Sequence, residues 1–84
     1  MTREKTKLTL LYFAALRDAS GTASEVVETD ARSLRELYQQ AQARYQLPFS
    51  TQQLRVAVDA GFAEWDDAPL AGSEVAFIPP VSGG

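Results

Sequence analysis

The 84-residue chain has no cysteine and no histidine. Disulfides, a thiolate nucleophile, iron–sulfur ligation, an imidazole base and the usual zinc sites are excluded together, and no metal site is expected. Positive charge is sparse as well: eight Lys and Arg stand against eleven Asp and Glu, for a net charge of −3. The basic residues are scattered from Arg3 to Arg55, so no stripe exists to release counterions from a phosphate backbone, and nucleic acid is not an expected partner. Long apolar runs are missing. Nothing approaches the roughly 20 residues of a membrane span, and the opening "MTREKTK" has no apolar leader-like core, so a membrane is not an expected partner and the cytoplasm is the expected setting. A domain this short hides only about 60% of the surface its unfolded chain exposes, which argues against a deep enclosed pocket and against catalysis by this chain alone.

What is present is an ordinary globular composition, 45% hydrophobic and 23% charged, read as a single domain over residues 1–84 with a polar arm at 1–6 and an extended tail at 79–84. In "KLTLLYFA", Leu8, Leu10 and Tyr12 alternate with Thr9, Leu11 and Phe13, the period of a strand whose first set faces the core. "LRDASG" reads as a turn or short helical loop ending at Gly21, and "ASEVVET" as a second strand. "SLRE" has the spacing of a capping box, in which Ser33 and Glu36 each bond the other's backbone N–H, and Leu34, Leu37, Tyr38, Ala41 and Tyr45 then line one face of a helix that Pro48 ends. "LRVAVDA" alternates as a third strand with Leu54, Val56 and Val58 inward. Gly61 opens a turn, residues 62–65 add a short strand, Gly72 suits a positive φ, and residues 74–78 form the last strand with Val75 and Phe77 inward. The order β-β-α-β-(β)-β predicts an α+β, β-grasp (ubiquitin-like) roll, a mixed sheet with one main helix on one face and none on the other. Tyr12, Tyr38, Tyr45 and Trp65 are expected in or beside the core, while Glu25, Glu28, Asp66 and Asp67 read as solvated surface and not as a catalytic pair.

The sequence closes on "VAFIPPVSGG". Two final glycines arise by chance in roughly 1 of 200 chains, so the pair alone is weak; its setting is what gives it meaning. Pro79 and Pro80 lock φ, stop the strand and favour extended geometry, aiming Val81, Ser82, Gly83 and Gly84 away from the body. Those four residues can reach about 13 Å, and the last three are small enough for a narrow channel. The carboxylate of Gly84 is a poor electrophile until activated. Adenylylation by ATP makes it a mixed anhydride, from which a sulfur donor displaces AMP to leave a thiocarboxylate.

The stretches "LLYFAALRDASG", "SLRELYQQAQARY" and "LAGSEVAFIPPVSGG" resemble the small, sulfur-carrying subunits of molybdopterin synthase, over nearly the whole chain from Leu8 onward. The resemblance implies a β-grasp fold and a Gly84 thiocarboxylate (a C-terminal 1-thioglycine) formed by a ubiquitin-activating-like adenylyltransferase that uses ATP, with sulfur from a donor protein. It implies that Pro79, Pro80, Val81, Ser82 and Gly83 insert into a large catalytic subunit, which turns cyclic pyranopterin monophosphate into the dithiolene of molybdopterin within a heterotetramer of two small and two large subunits. The chain is then a non-catalytic sulfur-donor subunit with no permanently bound cofactor. It departs from that pattern at Asp59, where the family often has Asn, and at Ala71, Gly72 and Ser73, where it often has a "DGD" turn.

The partner surface is expected on the helix-free sheet face. Phe13 and Ile78 point away from the core by alternation on strands that neighbour one another in a β-grasp sheet, Phe62 extends their patch, and Arg17 supplies a polar rim contact. Three other readings stay open: a sulfur carrier for thiamine or tungsten-cofactor synthesis, a ubiquitin-like modifier joined to lysines through Gly84, and a passive β-grasp adaptor that makes no use of the tail.

Overall fold

Alternation in the first strand seeds the sheet. The computed structural model describes residues 4–80, and in it β1 (Thr6–Tyr12) buries Leu8, Leu10 and Tyr12 on one face. A short helix α1 (Ala15–Ser20) follows, ended by Gly21 in the left-handed region at φ 78°, and β2 (Ser24–Thr29) returns antiparallel to β1, with Leu8 opposite Val27. After helix α2 (Leu34–Tyr45) come β3 (Arg55–Val58), β4 (Gly61–Ala63) and β5 (Glu74–Ile78). The sheet order is β2-β1-β5-β3-β4. The last strand therefore lies in the centre, parallel to β1 and antiparallel to β3.

This is the expected α+β roll. Helix α2 lays Leu34, Leu37, Tyr38 and Ala41 into one core with Leu8, Leu10, Tyr12, Val56, Val75 and Phe77. Phe77 sits among three rings, with centroids 4.9 Å from Tyr38, 6.1 Å from Trp65 and 6.2 Å from Tyr12; each such pair adds about 0.5–1.5 kcal/mol beyond its buried area. Trp65 and Tyr45 are half-buried against this cluster.

Several local expectations are corrected. The polar arm is shorter than 1–6, because Thr6 already pairs with Thr29 in β2. Ser33 does cap α2, its Oγ accepting from Glu36 N at 3.1 Å, but Glu36 Oε1 accepts from Arg32 N at 2.9 Å, one residue before the partner a capping box specifies. Two further N–H groups of the first turn, those of Leu34 and Arg35, reach the carbonyls of Asp67 and Trp65 at 2.9 Å, so a distant loop satisfies donors that the helix leaves orphaned. The helix ends at Gln46, in the left-handed region at φ 56°, two residues before Pro48. Strand β4 stops at Ala63 and does not run to residue 65. Ala57 and Ala76, outward by alternation, are buried at 5% and 9% exposure, because they face each other across β3 and β5 in the middle of the sheet.

Candidate functional site

The region of interest is the place where the chain leaves the sheet. β1 and β5 run parallel, with Leu11 beside Ala76 and Tyr12 beside Phe77; one residue beyond that last pair stand Phe13 and Ile78. Phe13 is 47% exposed. Its direction is fixed by the next residue, since Ala14 holds φ 51°, ψ −123° and Leu16 N donates to Phe13 O at 3.0 Å, the first central position of a type II′ turn that ordinarily prefers glycine. Ile78 is half-buried, and Pro79 and Pro80 follow it out of the strand. Phe77, locked in the aromatic cluster, anchors this exit from beneath.

Across the sheet, Ala76 faces Ala57 and Ala57 faces Phe62. The two small residues form a low saddle between Leu11 and Phe62 on the helix-free face. Phe62, on β4 at the edge of that face, is 71% exposed. Arg55 lies opposite Ile78 and holds its guanidinium carbon 5.3 Å from the centre of the Phe62 ring. Between these groups runs a groove of about 440 Å³, lined by Gln52, Gln53, Leu54, Arg55, Phe62, Ile78, Pro79 and Pro80.

Of the residues singled out from sequence, Phe62, Ile78, Pro79 and Pro80 thus converge on one groove. Phe13 stands on the far side of Ile78, and Arg17, exposed on α1, is not among the lining residues. Val81, Ser82, Gly83 and Gly84 lie outside the described residues. Sequence reading missed Arg55 and the loop residues Gln52 and Gln53. A signal for Arg55 existed, a charge at an outward position of "LRVAV", but its meaning depends on the pairing of β3 with β5.

A second cluster lies at the opposite side, where the C-terminal end of α2 meets the first hairpin. Glu25 accepts from Tyr12 OH at 2.6 Å, from Tyr45 OH at 2.8 Å and from Arg44 Nη1 at 3.4 Å. The expectation of a merely solvated Glu25 is therefore corrected: its side chain is 19% exposed and ties β1, β2 and α2 together. Burial, then the hydrogen bond to Glu25 and its charge, push the Tyr12 phenol far above its ordinary range. Among the described residues no buried side-chain polar atom lacks a hydrogen-bond partner, and a nearby void of about 10 Å³ is too small for anything beyond a water molecule. The cluster is a structural tie. Among the described residues no group of three or more carboxylates is placed to hold a metal ion, and no helix is long and apolar enough to cross a membrane.

Comparison with known proteins gives these features a context. The sequence pattern of the ThiS family matches residues 10–84. The molybdopterin synthase sulfur carrier subunit of Escherichia coli is 35% identical, with 89% of this chain and 96% of that protein aligned; its counterpart from Haemophilus influenzae is 32% identical, over 92% and 99%. Among solved structures, small archaeal modifier protein 1 of Haloferax volcanii superposes with a TM-score of 0.77 at 20% identity, covering 90% of this chain and 99% of that one. At that identity the likeness speaks for the fold alone.

Proposed function

The chain belongs to the ThiS family, and from that premise we propose that it is the sulfur carrier subunit of a molybdopterin synthase. The observation that carries this reading is its similarity, at 35% identity across 96% of the relative's length, to a subunit of that name. On this reading an adenylyltransferase transfers AMP from ATP to the Gly84 carboxylate with loss of pyrophosphate, a sulfur donor protein delivers sulfur to the acyl carbon as AMP leaves, and the resulting thiocarboxylate is the form that works. The tail from Pro79 onward enters the large subunit, where sulfur passes to cyclic pyranopterin monophosphate in the cytoplasm, within a heterotetramer of two small and two large subunits. Gly84 leaves as a carboxylate and is recharged.

The described geometry supports the division of labour. An anchored strand end, a diproline exit and an exposed apolar face beside it suit a chain that is handed between two proteins, and a sequence without histidine or cysteine, with no carboxylate trio among the described residues, fits proton transfer by the large subunit. Phe13, Ile78 and Phe62 are the contacts we assign to that face, with Arg17 at its rim.

Intact mass of the protein co-expressed with its adenylyltransferase tests the first half: one oxygen at the C-terminus is replaced by sulfur, and removal of Gly83 and Gly84 abolishes the change while leaving the circular dichroism spectrum unaltered. The second half is tested by adding the large subunit and cyclic pyranopterin monophosphate. Dithiolene formation is expected; a thiocarboxylate that forms but yields none points instead to a thiamine or tungsten-cofactor acceptor. A protein-modifier role, which draws on the fold likeness to small archaeal modifier protein 1, would show as isopeptide adducts lost when Gly84 is deleted.

A further inference from the structure

The groove at the tail's root carries one cation among its described lining residues, in a wall that is largely apolar. Leu54, Phe62, Ile78, Pro79 and Pro80 supply the apolar surface, Gln52 and Gln53 add neutral polar groups, and Arg55 brings the charge. Its guanidinium lies over the exposed Phe62 ring and, among the described residues, forms no ion pair; the arginines that do are Arg35, with Asp66, and Arg44, with Glu25. Stacking restricts the stem while leaving edge N–H donors free, so a partner binds a group that is already oriented. A planar cation beside aliphatic and aromatic walls complements a carboxylate next to an apolar side chain. It does not complement a polyanion. Among the described lining residues only one carries positive charge, and Glu64 shares the adjoining depression of about 240 Å³ with Arg55 and Phe62, adding negative potential where a phosphate would have to sit.

Pro79 and Pro80 are themselves part of the wall, so a protein that engulfs the residues after them must cover this groove. Resting on the sulfur-carrier reading, we propose that the groove receives a segment of the large synthase subunit that pairs a carboxylate with Arg55 while seating an apolar side chain against Phe62 and Ile78. Arg55 is thereby a specificity residue for partner choice, distinct from the apolar face that surrounds it.

The test is titration of the purified large subunit with full-length carrier, wild type against Arg55→Glu, Arg55→Gln and Arg55→Lys, at low and high salt. Arg55→Glu is expected to weaken binding at low salt by about tenfold or more, through loss of one attraction and gain of one repulsion. Arg55→Gln should lose less and bind almost independently of salt, and Arg55→Lys should keep the salt dependence but recover only part of the affinity. Unchanged melting temperatures confirm that the fold is intact, and Arg55→Gln serves alone if the glutamate variant does not fold. Wild-type and Arg55→Glu carriers that bind within about twofold of each other, with equal salt dependence, overturn this proposal and leave the sulfur-carrier reading standing. A wild-type carrier that does not bind the large subunit overturns both.

Discussion

Four described residues other than glycine hold positive φ: Ala14, Gln46, Asp59 and Ala60, at 51°, 56°, 49° and 71°. Asp59 and Ala60 form the two-residue link between β3 and β4, where positive φ at both positions is the type I′ geometry that favours Asn-Gly. Asp59 is suited to it for a second reason: its Oδ1 accepts from Glu74 N and its own N–H donates to Glu74 O, both at 2.9 Å, which stitches the turn to the start of β5. Ala60 has no such compensation. Ala60→Gly should therefore raise stability by about 0.5–1 kcal/mol, seen as a higher urea midpoint; a lower midpoint would show that backbone entropy outweighs the relief of strain. Glu25 gives the opposite case. Glu25→Ala leaves the buried Tyr12 hydroxyl without its acceptor and removes the shared partner of Tyr45 and Arg44, for an expected loss of about 2–3 kcal/mol in chemical unfolding.

At the level of elements, α2 shows how far local sequence reaches. Its apolar face and its Ser33 cap were readable from spacing, and Ser33→Ala should cost about 1 kcal/mol, measured as a fall in melting temperature. The ends were less readable because tertiary contacts set them. Glu36 turns to Arg32 instead of Ser33 while carbonyls of the 65–67 loop take the neighbouring N–H groups. At the other end, Tyr38 OH and Gln42 Nε2 both donate to Phe49 O, at 2.5 and 3.0 Å, pulling the chain back beneath the helix and ending it at Gln46 before Pro48 is reached. Strand faces were likewise legible from alternation at Leu8, Leu10, Tyr12, Val75 and Phe77. Register was not: alternation says that Arg55 points outward but cannot say that Ile78 stands opposite it, and the groove follows from that pairing.

For the molecule as a whole, two buried phenols couple stability to alkaline pH. Tyr12 and Tyr38 are both raised from the ordinary value of 10.0, in each case mainly by burial. Below pH 10 the folded and unfolded chains both keep these protons. Above it the unfolded chain releases them and the folded chain does not, so unfolding becomes easier as pH rises, by up to about 1.4 kcal/mol per pH unit for each tyrosine until its folded form also titrates. Urea midpoints measured from pH 8 to pH 11 should be flat at first and then fall; a flat profile throughout would mean that these phenols are not buried in solution. The sheet order has a temporal consequence too. Without β5 the strands make only two unconnected ribbons, β1 with β2 and β3 with β4, so during synthesis the domain has to wait for its last strand to emerge before it can close. A molecule interrupted upstream of β5 lacks the keystone and is left for proteases, and whatever passes as folded has by construction finished the strand on which its exit segment is mounted.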